Sequence, residues 1–269
     1  MSLKRGPVLK AVSVGILLLA WEMFALWRHD TRLFPTLQSI LFTSLPSLGN
    51  FSVIGETGIW NALQALAWHA GITVARIAAG LAIGVPCGLA FGLLMHWLRG
   101  SGGTPALTLI VTRSIPLLAL IPLFSFWFGA SSRGVIAYIA FGVFVVIASD
   151  AYEAAANLPP TLLQLASLLG ARGVFLVWTT YLPGIALHMA GSIRNVVGIT
   201  WALSLGAEYI SSTSGLGYVT YQSYLYSDMG KLALLAIVYM VLGYASYAFM
   251  ARFIMPLLSW GIQDIQEDL

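Results

Sequence analysis

Several apolar runs, each roughly as long as a bilayer is thick, constrain this chain more than any other feature of its sequence. They extend from about Ala11 to Trp27, Gly71 to Trp97, Thr104 to Phe128, Gly134 to Ser149, Ile185 to Ala207 and Leu232 to Pro256. A helix rises about 1.5 Å per residue, so about 20 apolar residues cross the ~30 Å hydrocarbon layer. The first and fourth runs are short and would borrow flanking residues, while the others have length to tilt. Of the 269 residues, 59% are hydrophobic and 9% charged, against about 25% charged in an ordinary soluble domain. A soluble globule of this size could not hide that much apolar surface. The expectation is an all-α polytopic membrane protein with six transmembrane helices in one domain over residues 1–269.

Charge placement gives an orientation. With the N-terminus in the cytoplasm, Lys4, Arg5, Lys10, Arg99, Arg172, Arg194 and Arg252 lie inside, and Arg28, Arg32, Arg133 and Lys231 outside. That bias follows the positive-inside rule and puts both termini in the cytoplasm. The basic start followed by Ala11 to Trp27 resembles a signal peptide, but the run is long enough to span, and it is read as an uncleaved first helix. The net charge of +3 comes from scattered loop residues and makes no basic stripe for nucleic acid. The single cysteine, Cys87, allows no intrachain disulfide and no cysteine-based metal site.

Gly80, Gly84, Gly88 and Gly92 recur at every fourth position of the second run. Residues i and i+4 share a helix face, so these glycines predict a smooth groove for close helix packing. Pro86 in the same run predicts a local kink. In the third run Pro116 and Pro122 each remove an interior hydrogen bond, which predicts a bent or broken helix. Broken helices at membrane depth often line a polar path. Glu22, Arg76, Arg113 and Glu208 are charges within or beside the runs. Such charges are costly in lipid and face a cavity or one another. Arg113 and Glu208, with Pro116 and Pro122, are therefore path candidates, and a structural ion pair, or snorkelling to the interface, is the alternative reading of the charges.

The segment 151–183 joins the fourth and fifth runs on the cytoplasmic side of this topology. Within it Gln164-Leu165-Ala166 is followed after three residues by Gly170, and nine more precede Thr180, ahead of Leu182-Pro183. This resembles the EAA loop of ABC-importer permeases: Glu-Ala-Ala, three residues, Gly, nine residues, Ile, one residue, Leu-Pro. Ala166, Gly170, Leu182 and Pro183 keep the motif's identities, whereas Gln164, Leu165 and Thr180 replace Glu, Ala and Ile. The literal Glu153-Ala154-Ala155 has no glycine at the required distance. Arg113-Ser114-Ile115-Pro116, Pro122 and Trp127-Phe128-Gly129 are similar to the Arg-Pro-x-Pro…Pro…Trp-Phe-Gly run of the nitrate/sulfonate/taurine permeases. Trp21-Glu22, Phe34-Pro35, Ala207-Glu208 and Gly215-Leu216-Gly217 resemble further segments of that family, in the same order.

The resemblance implies the type I ABC importer permease fold and a transport subunit of the bacterial inner membrane. It implies a second permease copy, two cytoplasmic ATPases that hold ATP and Mg, and an extracytoplasmic binding protein. Gln164, Leu165, Ala166, Gly170, Arg172, Leu182 and Pro183 would dock the ATPase. The solute would be a small polar or anionic molecule such as a sulfonate, taurine, nitrate or a vitamin precursor. The chain itself has no Gly-x-x-x-x-Gly-Lys-Ser/Thr phosphate loop and no His-Glu-x-x-His motif. No catalytic residue, metal or cofactor is expected on it. An ion-coupled carrier or channel is the alternative, and it would favour inverted repeats, of which the sequence carries no sign.

Overall fold

The computed structural model describes residues 5–28, 30, 33–52, 55–98 and 105–254. Thr104, Pro256, Lys4, Arg32 and Arg99, used in the sequence reading, lie outside them. The described chain is helical, and it divides into two compact units: Met1–Gly71 with Ser214–Tyr239, and Ile72–Thr213 with Met240–Leu269.

In the first unit α1 (Arg5–Arg28) is tied to the loop that follows it. Trp21 Nε1 donates to the Pro35 carbonyl at 3.0 Å, and Glu22 Oε2 accepts the Leu37 amide at 2.8 Å. Phe34 seats its ring against Phe24, edge to face at 4.8 Å. Glu22 and Thr36 thus satisfy amides at the start of α2, a helical run over 37–51. A carboxylate suits that position, where the helix end carries partial positive charge. His69 is buried and accepts the Gly215 amide on Nδ1 at 3.0 Å. Its other nitrogen faces the Phe51 carbonyl at 3.3 Å. An amide can only donate, so Nδ1 is bare and Nε2 carries the proton that Phe51 accepts.

Helix α3 (Ile59–Leu98) has 40 residues and is about 60 Å long. It begins well before the apolar run expected at Gly71. The segment from Trp60 to Ala70 holds Asn61, Gln64 and His69, which lower its hydropathy, but it contains no proline or glycine to end a helix. Pro86 lies inside α3 without interrupting its helical assignment.

The third expected span is two short helices. α4 (Pro105–Arg113) stops at Ser114–Pro116, where Pro116 is extended (ψ 101°). A single 3-10 turn, Leu117–Leu120, then leads into α5 (Ile121–Phe128). Only Pro116 breaks the helix. Pro122 sits in the first turn of α5, where an amide would have no partner in any case, so it starts a helix where the sequence suggested an interior defect.

Helix α6 (Ser132–Ala156) is capped by Ser131. It is buried on all sides by α4, α5 and the later helix α8, and forms the centre of the second unit. The glycines of α3 lie on it. A Cβ at Gly84 would stand 2.6 Å from the Ala140 carbonyl, and at Gly88 2.9 Å from the Ile147 side chain. At Gly80 it would strike Ile139, and at Gly92 the Ala148 carbonyl. Glycines four apart on α3 meet Ile139, Val143, Ile147 and Ala151, themselves four apart on α6.

Helix α7 (Pro160–Leu168) and a tight turn lead into α8, a run over 173–211. Gly173–Ala186 and His188–Ser211 meet there at 65°. The first half contains a π turn, Val177–Tyr181, followed by Leu182-Pro183. A second π turn, Ile40–Ser44 in α2, is followed by Leu45-Pro46. In both, a proline with no amide denies the preceding turn an i to i−4 bond, and the backbone widens to an i to i−5 bond. α9 (Leu216–Leu225) and α10 (Met229–Phe249) follow, and a third π turn, Met250–Ile254, is the last described element. Among the described residues, Ile59–Leu98, Ser132–Ala156 and Met229–Phe253 are each long and apolar enough to cross a membrane, and the bent α8 adds a fourth if its halves count as one.

Candidate functional site

The segment linking α6 to α8 is built around the end of α7. The Ala171 amide donates to the Ala166 carbonyl at 2.9 Å and the Gly170 amide to Ser167 at 3.1 Å. This pair of bonds is the Schellman closure of a helix, with Gly170 as the left-handed residue at φ +88°. Only glycine adopts that φ without strain. Ala171 tucks underneath and is buried, as the hydrophobic member of that closure. The motif's spacing is therefore helix geometry: Ala166 and Gly170 stand at the fixed positions that end α7. Gly173, at φ +56°, completes the reversal into α8.

Among the described residues the helix so positioned has no apolar cover. Leu168 is 83% exposed, Leu169 80%, and Leu165, Val174, Phe175 and Trp178 are also open. Gln164, Gly170, Arg172 and Pro183 are exposed, while Ala166 and Leu182 are half-buried. Large contiguous apolar patches of this kind mark contact surfaces.

The membrane-depth charges fall into two pairs. Arg76 Nη1 meets Glu208 Oε1 at 2.8 Å, with side chains 4% and 0% exposed. Thr73, one helical turn before Arg76, donates to both oxygens of Glu208 at 3.1 and 2.8 Å. Ser132 accepts from Arg76 Nη2 at 2.9 Å and Nε at 3.2 Å. The cluster joins α3, the first turn of α6 and the end of α8. The carboxylate of Glu208 accepts from both Arg76 and Thr73 and is fully buried, so in this conformation it has no open face. The second pair is looser: Arg113 Nη1 lies 3.6 Å from Asp150 Oδ1, with side chains 54% and 16% exposed.

The sequence singled out Arg76, Arg113 and Glu208 separately. It did not find that Arg76 takes Glu208, and it missed Thr73 and Asp150 altogether. Ser131 and Ser132 both make structural bonds. A cavity of about 530 Å³ between α3, α8 and α10 is lined by Val74, Ile77, Leu81, Trp201, Leu242 and Phe249, and offers a polar solute little to bind. Among the described residues there is no cluster of metal-binding side chains.

Residues 84–258 match the family model described as binding-protein-dependent transport system inner membrane component. The chain is 29% identical over 241 residues to the taurine transport system permease protein TauC of Escherichia coli, covering 88% of this chain and 85% of that one. Its fold matches the MetNI methionine ABC transporter in an inward-facing crystal form, with a TM-score of 0.53 at 20% identity. That match covers 70% of this chain and 91% of the other. A second crystal form of the same transporter matches at 0.51.

Proposed function

Because the chain belongs to the family of inner membrane components of binding-protein-dependent transport systems, and has the type I ABC importer permease fold, we propose that it carries a small sulfonate-like anion across the membrane and is driven by a separate ATPase seated on α7. The observation that carries this reading is the exposed apolar end of α7, with its glycine closure and the stiff turn into α8. An apolar helix end that none of the described residues covers suits a groove on another protein. A push on α7 would pass through the Gly170–Gly173 reversal into the first half of α8 and so to its 65° elbow.

The remaining assignments belong to the same reading. The chain crosses the bilayer six times, with α4 and α5 together as the third crossing and both termini in the cytoplasm. Two copies form the pore, two ATPases hold ATP and Mg, and a binding protein delivers solute on the outer side. The solute class is supported by the taurine permease relative. Arg113, at the break marked by Pro116, is the cation on the solute path, and the turn through Pro122 lets α5 resume beyond it. ATP binding biases two permease conformations by its differential affinity for them.

Replacing Gly170 with valine tests the docking role. Valine cannot hold φ +88° cheaply, so α7 should lose its closure. Recovery of the ATPase with the membrane-embedded permease should fall at least tenfold. Undiminished recovery with normal ATP-driven uptake would count against docking at α7.

A further inference from the structure

Arg113 is the last residue of α4, and the chain leaves helical geometry directly after it. The carbonyls of that helix end favour a cation there. Asp150 comes from the neighbouring α6. Their 3.6 Å separation is ion-pair range but longer than a hydrogen bond. Among the described residues neither side chain makes a hydrogen bond, and the five N–H donors of this guanidinium find no acceptor there. Arg76 shows the opposite state, with its donors at 2.8 to 3.2 Å from Glu208 and Ser132. Arg113 is also more than half open. A guanidinium turned toward lipid is costly, so its open side faces water or a polar guest.

We propose that Arg113 and Asp150 form an exchangeable ion pair in which Asp150 neutralises the guanidinium between transport events and a small oxyanion takes its place on the open side. This rests on the reading of the chain as a permease for a small anion. The planar fork of arginine matches two oxygens of a sulfonate or carboxylate at hydrogen-bond distance. Asp150, held back on α6, cannot reach that distance here. An arriving oxyanion gains bonds that Asp150 does not make in this conformation. Asp150 in turn competes with it, which keeps the anion from resting too firmly at Arg113 and promotes its release. Asp150 is on this account a counter-charge that sets how firmly Arg113 holds an anion and has no effect on an uncharged solute.

The test uses the permease assembled with its ATPase in nanodiscs, with methanesulfonate as probe and dimethyl sulfone as the uncharged control. Binding is followed by saturation-transfer NMR, and uptake of labelled taurine is measured in proteoliposomes with the binding protein. Asp150→Asn should bind methanesulfonate three- to tenfold more tightly. Arg113→Lys keeps the charge but loses the fork and should bind several-fold more weakly, and Arg113→Gln at least tenfold more weakly. Dimethyl sulfone should be indifferent to all three. Asp150→Asn and Arg113→Lys are mild enough to assemble even if Arg113→Gln does not. Unchanged methanesulfonate binding in both, with normal taurine uptake by the unaltered complex, would overturn the exchange and leave the solute class standing. An unaltered complex that moved an uncharged solute and no sulfonate would overturn both.

Discussion

Arg76–Glu208 and Arg113–Asp150 are arginine–carboxylate pairs in the same unit, both abutting α6, and they are built on opposite terms. The first touches α6 at Ser132, its opening residue, and the second at Asp150, about 27 Å further along the same helix. The first pair is shut away, with hydroxyls from Thr73 and Ser132 filling the positions that water would take. The second has no such helpers and stands open. What separates a fastening from an exchangeable contact here is less the charges than the neutral groups around them. A buried pair is tolerable only when its spare lone pairs and protons are met, and an exposed pair contributes little by itself.

That contrast yields an order of stabilities, measured by denaturant titration of the purified chain in detergent. Glu208→Ala leaves Arg76 buried without its counter-charge, and the loss should be largest, about 3–5 kcal/mol. Thr73→Val keeps the shape but removes the hydroxyl that donates to Glu208, and should cost about 1.5–3 kcal/mol. Arg113→Ala should cost less than about 1 kcal/mol. If Arg113→Ala proved as damaging as Glu208→Ala, the distinction between the two pairs would fail. If Thr73→Val were neutral, the hydroxyls would not be what holds the first pair.

What the sequence disclosed was whatever repeats locally or obeys backbone chemistry. The glycines from Gly80 to Gly92 declared a packing face because a helix turns every 3.6 residues. Their partner could not be named, since Ile139, Val143 and Ile147 are ordinary core residues until a glycine lies opposite. Pro116 marked a break and Gly170 a helix end because both act on their own backbone. The pairing of Arg76 with Glu208 spans 132 residues, and no local pattern encodes it. Asp150 passed unnoticed at the end of an apolar run, where one acid reads as the return to water. The early start of α3 was hidden for a different reason: hydropathy measures affinity for lipid, and Asn61, Gln64 and His69 lower it without disturbing a helix. Trp21-Glu22 and Phe34-Pro35 were noticed apart, and only the fold shows that they bind each other.

The distance along the chain between Arg76 and Glu208 has a consequence for biosynthesis. At about 5–20 residues per second, the ribosome makes Arg76 roughly 7–26 s before Glu208, which follows it by 132 residues. Ser132 arrives earlier, 56 residues after Arg76, and offers an acceptor but no charge. Through that interval the nascent α3 holds an unneutralised guanidinium, so it must wait near the insertion machinery or at the lipid headgroups. A chain terminated before Glu208 never obtains its counter-ion and keeps at Arg76 a charge that lipid does not solvate.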